Sequence, residues 1–206
     1  MPASKRYPLL LYREWIRPLA LPLLAITVVM TALWAFSLTG LLAEYTEAVV
    51  PTQRTLLGLA ALISFLAWVF VLRLPRAAYV QCLPEYLLLQ LGFLRLNISY
   101  SRVRTTRSVL HGQIHPPAAQ PRSCRKLAKR MAGWQCVAVE LTSYPMAFFL
   151  LRAQTHPFLF IGDQPGFLFA VKDWMGLDRE VEERNAALVA KRKDAARPPR
   201  LGGLFQ

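Results

Sequence analysis

The sequence predicts an α+β membrane protein: an N-terminal two-helix transmembrane hairpin, then a seven-stranded antiparallel β-barrel capped by a helix, then a second, exposed helix. Three observations carry the prediction. Two apolar runs, Leu19 to Ala43 and Leu56 to Leu72, contain no charged side chain, and about 20 mostly apolar residues cross the hydrocarbon core of a bilayer as a helix. From Ala78 the pattern changes to short runs rich in Val, Leu, Ile, Tyr and Phe broken by turn signals, which is how strands read. Behind Asp163 and Pro165, the residues Phe167, Leu168, Val171, Trp174 and Met175 recur at helical spacing. The chain of 206 residues leaves room beside the hairpin for one small domain.

Residues 1–18 read as a cytoplasmic segment. Lys5, Arg6, Arg13 and Arg17 stand against Glu14 alone, and Tyr7, Tyr12 and Trp15 fall where interfacial aromatics gather. Pro18 and Pro22 are expected in the first turns of the first span, where a missing amide costs little. The connection from Glu44 to Thr55 carries two acids and only Arg54, whereas Arg73 and Arg76 follow the second span directly. This bias puts both termini and the soluble domain in the cytoplasm. The first run is too long for a cleaved signal peptide, whose apolar region holds about 7 to 15 residues, so the anchor is expected to be retained. Within the hairpin, residues 19–72, the only polar side chains of the spans are Thr27, Thr31, Ser37, Thr39 and Ser64. That composition suits an anchor or a packing surface rather than a channel. Gly58 with Ser64, and Ala60 with Ala61 and Ala67, are small enough to seat another helix.

Strands are expected at 78–83, 86–91, 93–98, 102–110, 135–142, 147–153 and 157–161, joined through turns such as Pro84-Glu85, Gly92, and Ser143 to Pro145. Seven strands in two groups suggest a closed or nearly closed antiparallel sheet. Asp163 is the expected N-cap of a helix that ends at Gly176 and closes the open end of the barrel. A second helix begins after Asp178. Glu180, Glu182 and Glu183 lie at its start and Lys191, Arg192 and Lys193 at its end, the order that the helix dipole prefers. The tail from Arg197 to Gln206 has the composition of a disordered segment.

Three stretches carry a family likeness: Tyr86-Leu-Leu-Leu-Gln-Leu-Gly92, then Ile98-Ser-Tyr-Ser-Arg-Val-Arg-Thr-Thr-Arg107, and Phe158-Leu-Phe-Ile-Gly-Asp163 leading to a helix with an inward Trp174. On them, residues 73–176 resemble the bacterial membrane-flanked pleckstrin-homology-like (PH-like) family, in which a transmembrane pair precedes the domain. The resemblance implies a PH-like barrel, a bacterial cytoplasmic (inner) membrane, and a role like that of members that assist assembly of energy-converting membrane complexes. It transfers no catalytic residue. The chain departs from the family pattern at residues 110–134, a long insertion between the fourth and fifth strands.

Charge concentrates in the soluble part: residues 73–206 carry 20 Lys and Arg against 9 Asp and Glu, out of a net charge of +13. Between Glu85 and Glu140 there is no acid at all. Within the insertion, Cys124, Leu127, Met131 and Trp134 fall on one helical face with Arg122, Arg125, Lys126, Lys129 and Arg130 around it. Such a helix either lies on an anionic surface or is a solvated helix whose apolar stripe packs on the barrel. Arg102 and Arg104 alternate along a strand and so share a face. If the insertion folds toward that face, they form a basic platform with Arg107. The candidate interface is therefore Arg102, Arg104, Arg107, Arg122, Arg125, Lys126, Lys129, Arg130 and Trp134.

Chemistry is harder to find. Cys82, Cys124 and Cys136 lack C-x-x-C spacing, which indicates neither a disulfide framework nor a zinc site. His111 and His115 have helical metal-ligand spacing, but Gly112 and Pro116-Pro117 argue for a loop, and His156 stands alone as a turn residue. There is no phosphate-binding glycine loop and no nucleophile elbow. The expectation is a non-enzyme with no metal, cofactor or small-molecule substrate. Aromatic residues do not interleave with the bases as a single-strand platform requires, which argues against nucleic acid. Two functions remain: a scaffold or accessory subunit capping the cytoplasmic face of an integral membrane complex, or a membrane-surface adaptor that binds anionic lipid headgroups.

Overall fold

The computed structural model describes residues 5–38, 51–92, 94–162 and 164–195. Asp163, the tail from Arg197 and most of the connection between the spans lie outside them. Two long helices, α1 (Leu10–Leu38) and α2 (Pro51–Ala77), are apolar enough to cross a membrane, with windows of mean hydropathy 2.2 and 2.4. Few of their side chains are buried. Because α1 begins at Leu10, Pro18 and Pro22 lie inside it rather than in its first turns. The hydroxyls of Thr31 and Ser64 donate to the carbonyls of Thr27 and Ala60 in their own helices, at 2.7 and 2.8 Å. Thr27 Oγ1 lies 2.8 Å from Leu23 O and 3.2 Å from Ser64 O of α2, so it ties the two helices together.

The remaining elements build two antiparallel sheets. The first has the order β1 (Arg6–Pro8), β2 (Ala78–Cys82), β3 (Tyr86–Leu91) and β4 (Leu94–Ser99). The second has β5 (Val103–Leu110), β6 (Gln135–Leu141) and β7 (Gly166–Phe169). Short helices α3 (His111–Ile114) and α4 (Arg122–Met131) fill the connection from β5 to β6, and α5 (Phe148–Gln154) lies between β6 and β7. The last helix, α6 (Trp174–Ala195), packs on β2, β5 and β6, so it touches both sheets. Contacts divide the chain into two units: Tyr12–Ala77, and Met1–Leu11 together with Ala78–Gln206.

The expected strands from Ala78 to Leu110 and from Gln135 to Leu141 are present to within a residue or two. Other expectations need correction. Among the described residues no barrel closes: the strands divide into a four-stranded and a three-stranded sheet, and neither is closed. The expected strand at 147–153 is replaced by α5, Phe148–Gln154: Phe-Phe-Leu-Leu-Arg-Ala has no alternation, and a short apolar run suits either state. Residues 157–161 form a 3-10 turn, Pro157–Leu159, followed by a single bridge from Phe160 to Phe167. The helix expected up to Gly176 is instead β7, and Gly176 lies in the first turn of α6. A Cβ on Gly166 would stand 2.7 Å from Val139 O, so the strand pairs this closely only with glycine there. Asp173 is the residue that caps α6, its Oδ1 accepting from Gly176 N at 3.0 Å.

Residues before the first apolar helix also supply a strand. In β1, Tyr7 faces Val80 and Arg6 faces Gln81, which makes β1 an edge of the first sheet. The hydroxyl of Tyr7 donates to Glu180 at 3.0 Å, and Lys5 just before the strand pairs with Asp173, so this short strand is fastened to α6 and its cap. The core of this unit is Val80, Leu87, Leu89, Ile98, Tyr100, Val137, Val139, Phe167, Phe169, Leu177 and Val181, all fully buried. In β2 burial alternates residue by residue, as a strand with one covered face requires.

Candidate functional site

The basic stretch is built by β5 and the insertion that follows it. Arg102 belongs to a 3-10 turn, Tyr100–Arg102, and its guanidinium donates to Tyr144 O at 3.1 Å. The register slips between Val103 and Thr105, leaving Arg104 as the extra residue of a bulge. Arg102 and Arg104 therefore do not alternate along one regular strand. Arg104 borders a shallow groove with Glu140, Thr142, Gln164 and Pro165. Thr105 faces Glu140 and Arg107 faces Ala138, so Arg107 reaches Glu140 diagonally across the sheet, Nε to Oε1 3.0 Å. One of the three arginines is thus neutralised locally.

The insertion is a folded layer. In α4 the residues Ala128 and Met131 are fully buried and Leu127 and Cys124 half-buried, as is Trp134 just beyond its end, while Arg122, Arg125, Lys126, Lys129 and Arg130 are exposed. This is the amphipathic helix expected from the spacing of Leu127 and Met131. Arg125 Nη2 donates to Gln120 O at 3.4 Å. The layer is fastened at its root: His111 N donates to Trp134 O at 2.9 Å and Gly112 N to Ala132 O at 3.0 Å. A Cβ on Gly112 would stand 2.9 Å from that same Ala132 carbonyl, so the approach of α3 to the end of α4 depends on the glycine. Because the insertion leaves from Leu110 and returns at Gln135, α4 lies at the opposite end of β5 from Arg104. Six residues at about 3.3 Å each separate those ends by about 20 Å. The structure therefore groups the five α4 cations with Trp134 and leaves Arg102 and Arg104 at a distance, while Arg107 is paired with Glu140.

Beneath α3 the three histidines converge, although they looked unrelated in sequence. His111 begins a one-turn helix that Gly112 does not prevent, and His115 caps it. Their rings lie 5.2 and 5.0 Å from that of Phe158, and His156 lies 4.8 Å from it on another side. His115 Nε2 is 3.0 Å from Phe160 O, and His156 Nδ1 accepts from Phe158 N at 3.2 Å. Among the described residues neither nitrogen of His111 has a partner. Burial, with the neighbouring imidazoles, pushes His111 down to about 4, and burial first, then His115, does the same to His156. Burial also lowers His115, opposed by its bond to Phe160 O. The three are packed, neutral core histidines that lock the insertion to the segment 155–160. Among the described residues no three His, Cys, Asp or Glu side chains are placed to hold a metal ion.

Two of the thiols are buried as well: Cys82 and Cys136 are each pushed up to about 12, chiefly by desolvation. Thiols held protonated at neutral pH are poor nucleophiles.

The sequence reading missed an apolar surface on α5. Phe148, Phe149 and Leu150 are 42, 70 and 39% exposed, whereas Leu151 is fully buried. Phe148 stacks on Tyr144 at 5.1 Å and meets Phe160 edge-on at 5.3 Å, so the patch stands on an aromatic row that continues to Phe167 and Phe169. Assigning these residues to a strand concealed the signal, since alternation would have turned half of them inward.

No family model matches the sequence, and neither a curated protein nor a solved structure matches it.

Proposed function

We propose that the protein is a non-enzymatic accessory subunit, a scaffold or assembly partner, of a larger integral membrane complex, with its PH-like body on the cytoplasmic side of a bacterial inner membrane. The observation that carries this reading is the α5 surface. Outside the two apolar helices, the exposed large apolar side chains among the described residues are Phe148, Phe149, Leu150, Met175 and Val189, and three of these five are consecutive. Contiguous apolar exposure marks an interaction site. The aromatic row beneath Phe148 orders it in advance, which lowers the entropy cost of docking.

Other features support the remaining parts of the reading. Four antiparallel strands, then three, then a helix touching both sheets is an arrangement that suits a PH-like body. The pairing of β1 with β2 joins the two outer ends of the hairpin in one folded unit, as expected if both lie on one side of the membrane. The cations Arg6, Arg13, Arg17, Arg73 and Arg76 flank those ends and favour the cytoplasm. The buried, neutral histidines and protonated thiols suit a body without catalysis.

Gentle detergent extraction from native membranes, followed by native gel separation, tests the proposal. The intact protein is expected in a large assembly and Phe149→Glu largely outside it, because a charge in a desolvated interface costs several kcal/mol. Migration of the unaltered protein only as a lone small species rejects the accessory role.

A further inference from the structure

The end of the second sheet that carries α4 is also the end at which the chain leaves for and returns from the apolar helices. Val137 faces Phe169 where the pairing of β6 with β7 ends, two residues from Gln135 on one strand and two from Val171 on the other. Val171 bridges to Leu9, Leu10 N donates to Ala170 O at 2.8 Å, and Leu9 N donates to Ala78 O at 3.0 Å. Leu10 opens α1, and Ala78 follows the last residue of α2 with no linker. The insertion grows from Leu110 and Gln135 at this same end, and Gly112 and His111 fasten it there.

We propose that α4 is an interface for anionic lipid headgroups, with Arg122, Arg125, Lys126, Lys129 and Arg130 against the phosphates of the leaflet that the hairpin enters. The inference goes beyond the accessory role and rests only on the membrane-anchoring part of that reading. Five exposed cations occupy nine consecutive positions, and no acid occurs in the sequence from Tyr86 to Val139. The first acid after that gap, Glu140, is held by Arg107 away from α4. Ala128 and Met131 are buried on the other side of the helix, so the cations cannot turn inward without emptying that side. Basic side chains next to an anionic leaflet are attracted over roughly a Debye length, about 8 Å at physiological salt. The contact therefore needs α4 near the surface, and the adjacent chain exits provide that proximity. Arg102 and Arg104 are excluded from the interface by their distance along β5, and Arg107 by its ion pair with Glu140.

The full-length protein in nanodiscs tests this, with single reporter cysteines in a Cys124→Ser background where Cys82 and Cys136 are buried. A fluorophore at Ser123→Cys on α4 is expected to be quenched by headgroup nitroxides in discs containing phosphatidylglycerol. Quenching should fall severalfold in phosphatidylcholine discs, in high salt, and when Arg125, Lys126, Lys129 and Arg130 are all replaced by Gln. A fluorophore at Ser101→Cys, at the other end of β5, should remain unquenched throughout. A fluorophore at Leu62→Cys on α2 reports anchoring through acyl-chain nitroxides. If Leu62 is quenched and Ser123 is not, or if Ser123 is quenched equally in neutral discs, the lipid interface is wrong while anchoring stands. If Leu62 is not quenched, anchoring itself fails and the interface with it.

Discussion

A buried imidazole with two unpartnered nitrogens is tolerated only while neutral, and this makes His111 a reporter of pH. Its pKa in the folded protein is about 4 against 6.5 for the free side chain, and His156 behaves alike. Between these values the unfolded chain binds protons that the folded chain refuses, so stability is complete above about pH 6.5 and falls as the pH drops toward 4. The loss is up to about 1.4 kcal/mol per pH unit for each histidine. Urea midpoints in detergent at pH 7, 5.5 and 4.5 should fall in that order. His111→Phe should reduce the slope at little cost at pH 7, since it gives up no hydrogen bond. An unchanged slope would place the acid sensitivity elsewhere. None of this was legible in the sequence. His111 and His156 come from distant parts of the chain, and only the meeting of α3 with the segment around Phe158 brings them together.

At the scale of elements, α4 separates stability from surface charge. Met131→Ala removes the largest fully buried side chain of the helix and should cost about 2–5 kcal/mol. Replacing Arg125 and Lys129 by Gln should change stability by no more than about 0.5 kcal/mol each. Denaturant titrations of the three variants measure the contrast, and similar losses in all would mean that the cations stabilise the layer itself. The helix was legible because Leu127 and Met131 recur at its period among bases. Other elements were legible only in part, for reasons that lie in their residues. Arg6-Tyr7-Pro8 has no strand pattern, and its partner Val80 lies beyond two long helices. Asp163 and Asp173 each precede apolar residues at helical spacing, so local sequence did not tell which of them starts a helix. The bulge at Arg104 comes from pairing with β6, a long-range fact that a strand read by itself does not contain.

For the whole molecule, the hairpin does not stand in front of the domain; it interrupts it after the first strand. A fragment starting at Ala78 therefore lacks β1, exposes the edge of β2, and loses the contacts of Tyr7 with Glu180 and of Lys5 with Asp173. If α1 and α2 span a membrane as proposed, the same connectivity makes the sheet a witness to their insertion. A chain whose second helix fails to cross would leave β1 and β2 on opposite sides of the bilayer, and the first sheet could not assemble. Ile63→Lys together with Leu66→Lys, placed in α2 where each charge opposes insertion by about 3 kcal/mol, should thus make the distant body sensitive to protease in membranes. That sensitivity should appear although no residue of the body has changed. Protection as complete as in the unaltered chain would show that β1 is dispensable. A cell's proteases, on this logic, need not inspect the proposed spans: a mis-threaded chain identifies itself by an unfinished sheet.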